Sequence, residues 1–291
     1  MGKNGNVFAS RRNYILNLER RYSFADHVHF FIRRRLYPFF YRDRERNIQM
    51  MEYLLLVSLF VVALLYSSVG HGGGTGYLAL LALFGIAPIF MKSTALTLNV
   101  FVSAIAFFSY YRAGYFKWKL IFPFLISSIP FAYLGALTQV NPSVYKIILG
   151  VFLLIAIARM LFVPKAISET SEKTLFLPAL AIGALLGFFS GMIGIGGGII
   201  LSPILILMHW ANVKESAAAS ALFIFLNSIS GMFALVQGGF AFEPRITAWI
   251  AVGVVGGIAG SYFGSYRLKS DKLKYLLAGV LLLASIKLFI F

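Results

Sequence analysis

The stretch "GHGGGTG", residues 70–76, decides how this chain is read. It stands between two apolar runs and puts five glycines into seven positions. A second cluster, "GIGGG" at 194–198, interrupts the other half of the chain in the same way. The 291 residues are 59% hydrophobic and 12% charged, against roughly 25% charged in a soluble domain. An integral membrane protein is therefore expected, and the glycines must be explained inside a bilayer. Non-helical backbone is tolerated there only where it is buried in protein or lines a cavity. A helix that starts after such a break has N–H groups with no internal partner, and that end of a helix attracts anions.

Apolar runs near the length of about 20 residues needed to span a bilayer recur along the chain. They are Glu52–Val69, Gly76–Phe90, Ser93–Tyr111, Trp118–Gln139 and Ser143–Val163. After a polar linker at 164–174 come Leu175–Ile193, Gly198–Trp210, Glu215–Gln237, Arg245–Tyr266 and Lys272–Phe291. The two segments that follow the glycine clusters are short for a full span.

The halves are related. Gly70 to Gly74 matches Gly194 to Gly198 at an offset of 124; Thr94-Ala95-Leu96 matches Ser220-Ala221-Leu222 at 126; Ala113-Gly114-Tyr115 matches Gly238-Gly239-Phe240 at 125. A near-constant offset marks a repeat. With an odd number of segments per half, the second copy enters the membrane in the opposite sense, the plan of many secondary transporters. The expected fold is an all-α integral membrane protein of two inverted-topology repeats, five apolar helical segments each, with Gly-rich helix breaks. The expected organisation is a basic extension at 1–50, repeat 1 at 51–163, the linker, and repeat 2 at 175–291.

The net charge is +16, of which residues 1–50 carry +7. Lys/Arg collect in loops 112–119 and 267–274, which an inverted repeat puts on one side together with "NVKES" (212–216) and the linker. Cytoplasmic loops are enriched in Lys/Arg, so that side is expected to be cytoplasmic and the charge is not read as a nucleic-acid surface. A +7 extension on the opposite side breaks the rule, which favours translation starting near Met50.

The two breaks are expected to meet near the bilayer midplane and bind a small anion. The candidate binding residues are Gly72, Gly73, Gly74, Thr75, Ser190, Gly196, Gly197 and Gly198, with Asn99 and Asn227 from the third segment of each half. Asn99 and Asn227 are 128 apart, outside the repeat offset, and each suits either substrate contact or interhelical bonding. His71 is the candidate for gating or a proton-linked role, against a neutral imidazole bonded to a nearby carbonyl. Close helix packing through small residues is the competing account of the glycines. A nucleotide P-loop is excluded, since no Lys follows the glycines and no strand precedes them.

"YSSVGHGGGTGYLALLALFGIAP" (66–88), "GFFSGMIGIGGGIILSPILILM" (187–208) and "SALFIFLNSISGM" (220–232) resemble the sulfite exporter TauE/SafE family of membrane transporters. The family pattern is G-x-G-G-G-x-x-x-x-P in each half. The second half fits it with Pro203, whereas the first has Tyr77 near the proline position and Pro88 late. The resemblance covers 52–291 and implies ATP-independent transport of sulfite, organosulfonates or related small anions across a cell membrane, that of a bacterium.

Other classes are weaker. Ser190 lies in "GFFSG", one residue too long for an intramembrane serine protease motif, and no HExxH occurs, so no enzyme is expected. There is no cysteine, hence no disulfide or thiolate metal site, and no cofactor is expected. The expected partners are a small anion and the lipid bilayer, and a homo-oligomer is compatible with the composition. A passive anion channel and a non-transport assembly subunit stay open as alternatives.

Overall fold

The computed structural model describes residues 37–162, 175–239 and 242–266, together with 282 and 286. The expected tenth segment, the linker and the extension up to residue 36 lie outside the described residues. The chain divides into two compact units, Met1–Leu54 and Leu55–Phe291, and the second carries every contact discussed below.

The described regular structure is all helical: α1 (Tyr37–Ser67), α2 (Gly74–Leu83), α3 (Pro88–Arg112), α4 (Trp118–Leu137), α5 (Pro142–Phe162), α6 (Phe176–Ile193), α7 (Gly198–Leu207), α8 (Val213–Gln237) and α9 (Ile246–Tyr266). Six of them are long and apolar enough to cross a membrane, as expected of a multi-pass membrane protein. The two that follow the glycine clusters, α2 and α7, have 10 residues each, about 15 Å of helix against a hydrocarbon core of about 30 Å.

Both short helices stop earlier than the apolar runs do. Gly85 takes a left-handed φ of 72°, with Ile86 N–H donating to Leu81 O and Gly85 N–H to Ala82 O, the hydrogen-bond pattern that closes a helix at such a residue. α7 ends in the same pattern around His209, a non-glycine residue at φ 57°. α8 starts with a reciprocal cap. The Asn212 side chain accepts from the amides of Lys214 and Glu215, and the Glu215 carboxylate accepts from Asn212 N–H.

Two pairs of helices are fused by glycine stripes. Gly183, Gly187 and Gly191 of α6 lie on Phe124, Ser128 and Ala132 of α4; Gly256, Gly260 and Gly264 of α9 lie on Phe60 and Leu64 of α1 and on Ser68 just after it. A Cβ at any of the six would fall within 2.6 Å of the facing carbonyl oxygen. Residue numbers rise together in both pairs, so the partners run parallel. The four-residue step keeps each stripe on one ridge of its helix. Burial of apolar surface does not favour helix–helix contact over lipid contact, so this close backbone approach supplies the packing.

α3 and α8 cross at the centre, antiparallel. Leu96 meets Gly231, Thr97 Oγ1 reaches Met232 Sδ at 3.4 Å, and Tyr110 clusters with Ala217 and Ala218. Replacing Gly260 by Ala is expected to cost about 1–3 kcal/mol through overpacking against Leu64 O. Gly253→Ala, where the nearest atom to a Cβ is a Leu98 methyl at 3.2 Å, should cost clearly less. Thermal melts of the detergent-purified variants compare the two.

Candidate functional site: two glycine breaks that meet

α1 ends in tight turns. Gly70 N–H donates to Ser67 O at 3.0 Å and His71 N–H to Tyr66 O at 2.9 Å. The chain then reverses, and α2 folds back along α1 with Gly76 against Val62 and Tyr66 and with Thr75 Oγ1 donating to Tyr66 Oη at 2.9 Å. α6 ends with Gly194 N–H on Ser190 O at 2.8 Å, and α7 begins four residues later. Gly73 (φ 98°) and Gly197 (φ 73°) are the residues immediately before α2 and α7. Only a residue at home in the left-handed region makes that entry without strain.

The structure brings the breaks together. A Cβ on Gly74 would strike the Ile195 carbonyl. Asn99 of α3 and Ile224 of α8 fill the seam: a Cβ on Gly72 would lie 2.9 Å from Asn99 Oδ1 and 2.9 Å from Ile224 Cγ2, and one on Gly196 would lie 2.9 Å from Asn99 Nδ2 and 2.7 Å from Ile224 Cγ2. Gly198 also abuts Ile224, and Gly197 abuts the Phe223 ring and Ser190 Cβ. Residue 224 is 125 positions after 99, so Ile224 takes the place opposite Asn99. Asn227 sits a turn further on and donates from Nδ2 to Phe223 O at 2.8 Å within its own helix.

The carbonyl and amide ends of the broken helices are treated differently. The carbonyls are capped by side chains. Tyr110 Oη donates to Ser68 O (2.9 Å), His71 Nδ1 to Val69 O (2.8 Å), Tyr145 Oη to Ile193 O (2.9 Å), and Asn99 Nδ2 to Gly194 O (3.4 Å) and Ile195 O (3.3 Å). Among the described residues no side-chain cap closes the amide ends of α2 and α7, although at α7 Gly198 N–H donates to Gly196 O (3.0 Å) and Ile200 N–H to Gly197 O (3.2 Å). The first bond back into α2 is Tyr77 N–H to Gly73 O at 2.8 Å, which leaves the amides before it in the class that lacks an intrahelical acceptor. Buried polar atoms without a protein partner gather at the same ends: Tyr77 Oη, whose ring covers Gly73; Ser190 Oγ beside Gly197; and Asn99 Oδ1 beside Gly72.

His71 is buried and bridges both halves. A carbonyl only accepts, so Nδ1 carries a proton to bond Val69 O. In the neutral ring Nε2 then accepts from Ser202 Oγ at 3.2 Å, and Ser202 accepts from Ser220 Oγ at 2.7 Å. Tyr77, Ser202, Ser220 and Ile224 are the residues of this region that the sequence reading left out. The repeat offset pointed to two of them, because residue 202 lies 125 after Tyr77 and residue 224 lies 125 after Asn99.

Asn99→Leu should destabilise the protein by about 1–3 kcal/mol, since two buried carbonyls lose their donor. Asn227→Leu should cost less, because Phe223 O already accepts within the helix. Unfolding midpoints of the two variants test the difference.

Comparison with known proteins agrees with this architecture. The family model described as "Sulfite exporter TauE/SafE" matches residues 54–288. "Probable membrane transporter protein y4hK" of Sinorhizobium fredii is 33% identical over 238 residues, 80% of this chain and 96% of that protein. "Probable membrane transporter protein MJ0441" of Methanocaldococcus jannaschii is 32% identical over 200 residues, 62% of this chain and 73% of that protein. No solved structure matches. A helical chain with six helices long and apolar enough to cross a membrane among the described residues, matched over most of its length by this family, belongs to the Sulfite exporter TauE/SafE family of membrane transporters.

Proposed function

We propose that the protein is a secondary transporter of a small anion, sulfite, an organosulfonate or a related oxyanion, bound where the two glycine breaks meet. The observation that carries this reading is the unequal treatment of the helix ends. Side chains neutralise the exposed carbonyls, whereas α2 starts with bare amides before Tyr77 and α7 keeps one, Ile199 N–H, without an acceptor among the described residues. Each such end carries roughly half a positive charge. The Tyr77 and Ser190 hydroxyls add neutral donors beside them. Such a site favours an anion and needs no metal or cofactor to do so. Asn99, Ile224 and the Tyr77 ring lie over the glycines, so admitting an anion requires them to move.

An inverted repeat is supported by crossed packing. Gly70 of the first break lies on Ala217 of α8, and Gly194 of the second lies on Lys92 of α3; residues 92 and 217 are 125 apart. The opening helix of each half lies along the fourth helix of the other, α1 on α9 and α6 on α4, while the equivalent helices α3 and α8 cross antiparallel. Two halves related in this way can rock about a central site, the usual basis of alternating access. Lys117 pairs with Glu215 at 2.7 Å, and Lys214 Nζ donates to Tyr115 Oη (3.0 Å) and Ser265 O (3.1 Å). These bonds tie the basic loop 113–117 to the start of α8 and the end of α9, in keeping with a shared cytoplasmic side in a bacterial plasma membrane.

His71 is the proton-linked member. A proton on Nε2 would reverse its bond, turning Ser202 from donor to acceptor at the contact between the halves. His71→Gln should therefore flatten the pH dependence of flux. An unchanged pH profile in proteoliposomes would remove that role.

The anion site is tested by thermal stability against sulfite, sulfate, thiosulfate, sulfoacetate, taurine, acetate and nitrate. An anion at 100 times its Kd should stabilise the native state by about 2.7 kcal/mol. In Gly197→Leu, whose side chain would enter the Phe223 contact, both stabilisation and flux should vanish while the protein still inserts. Normal flux in that variant would refute the assignment.

A further inference from the structure

We infer that a cavity at the Pro88 end of the bundle is an anion-binding vestibule in which Lys92 supplies the charge. The inference rests on the reading of the protein as an anion transporter and adds a second site to it. The cavity measures about 370 Å³ and is bounded by the start of α3, the α4–α5 connection and the end of α6. That volume lies at the small end of the range of about 300–1,000 Å³ usual for ligand sites. Among the described residues its polar lining is Lys92, Thr138, Gln139 and Tyr145.

Lys92 is 7% exposed and lies one turn into a helix that crosses the membrane. A lysine in such a segment is costly and is a functional candidate for that reason. Its ammonium donates to Ala136 O, in the last turn of α4, at 2.6 Å, which holds the charge at the cavity wall. The cavity also borders the glycine site. Met192 lines it, Tyr145 caps the next carbonyl at Ile193, and Gly194 rests on the Lys92 backbone, where a Cβ would be 3.2 Å from Lys92 O. Lys92 and Asn99 are seven residues apart on one face of α3, about 10 Å along its axis. An anion drawn to Lys92 is thus two helical turns from the junction of the breaks. A lysine that merely caps α4 would need neither the cavity nor this alignment.

The chain has no cysteine, so Thr138→Cys introduces a single thiol at the cavity wall. Its modification rate is measured in purified protein with two methanethiosulfonate reagents, one bearing a sulfonate and one a trimethylammonium group. Lys92→Met should slow the anionic reagent about tenfold relative to the cationic one, by loss of the local positive potential, and Lys92→Arg should preserve the ratio. A ratio unchanged in Lys92→Met overturns the vestibule and leaves Lys92 as a cap. Should Lys92→Met fail to fold, protection by sulfate in the Lys92 background decides, with sodium chloride at matched ionic strength as control. Slower labelling under sulfate supports the vestibule, and no protection overturns it. Gly197→Leu separates the two sites, since it should keep the charge preference at residue 138 while losing stabilisation by anions. With Gly197 in place, anion stabilisation without a Lys92-dependent charge preference sinks the vestibule alone, and a charge preference without anion stabilisation sinks the glycine site alone.

Discussion

A backbone carbonyl or amide without a partner costs several kcal/mol in hydrocarbon, and this constraint organises the molecule. Each glycine break opens a helix in the interior and exposes polar groups at both cut ends. Tyr110, Tyr145, Asn99 and the His71 ring close the carbonyl side. What is left is the amide end of α2 and a single amide, Ile199 N–H, at the start of α7. That imbalance is electrostatic, and it gives the breaks a sign.

The rest of the fold holds those ends in register. The glycine stripes on α6 and α9 let two parallel helix pairs approach until backbone meets backbone. The crossing of α3 and α8 then delivers Asn99 from one half and Ile224 from the other into a single seam. One contributes a carboxamide and the other only bulk, so the seam is chemically unequal on its two faces. The departure of the first half from the family's proline pattern, with Tyr77 in that region, is a second inequality.

Position along the membrane normal matters as much as chemistry. Lys92, Gly194, Asn99 and Gly72 form a sequence of contacts from the cavity to the junction. At the opposite end, Lys117, Glu215, Lys214, Tyr115 and Ser265 are bonded to one another. The described residues thus form a cavity at one end of the bundle and a bonded cluster at the other.

Much of this was legible in the residues. Span positions followed from apolar runs, because a bilayer demands a length. The short helices followed from glycine clusters, because helical backbone does not survive five glycines in seven positions. The 124–126 offset paired the halves before any contact was known. The early ends of α2 and α7 were not legible, because Gly85 and His209 stop those helices inside apolar runs. Nor was the role of Gly183, Gly187, Gly191, Gly256, Gly260 and Gly264, since a glycine every fourth residue does not name its partner helix. Asn227 looked like the mate of Asn99 by residue type, yet Ile224 stands opposite Asn99, because facing is set by the crossing of α3 and α8. By itself the sequence determined which segments are apolar enough to cross a membrane and where the backbone breaks, since both depend on local composition. Only the tertiary structure decided which cut ends are capped and which stay bare, because that depends on side chains arriving from helices distant in the chain.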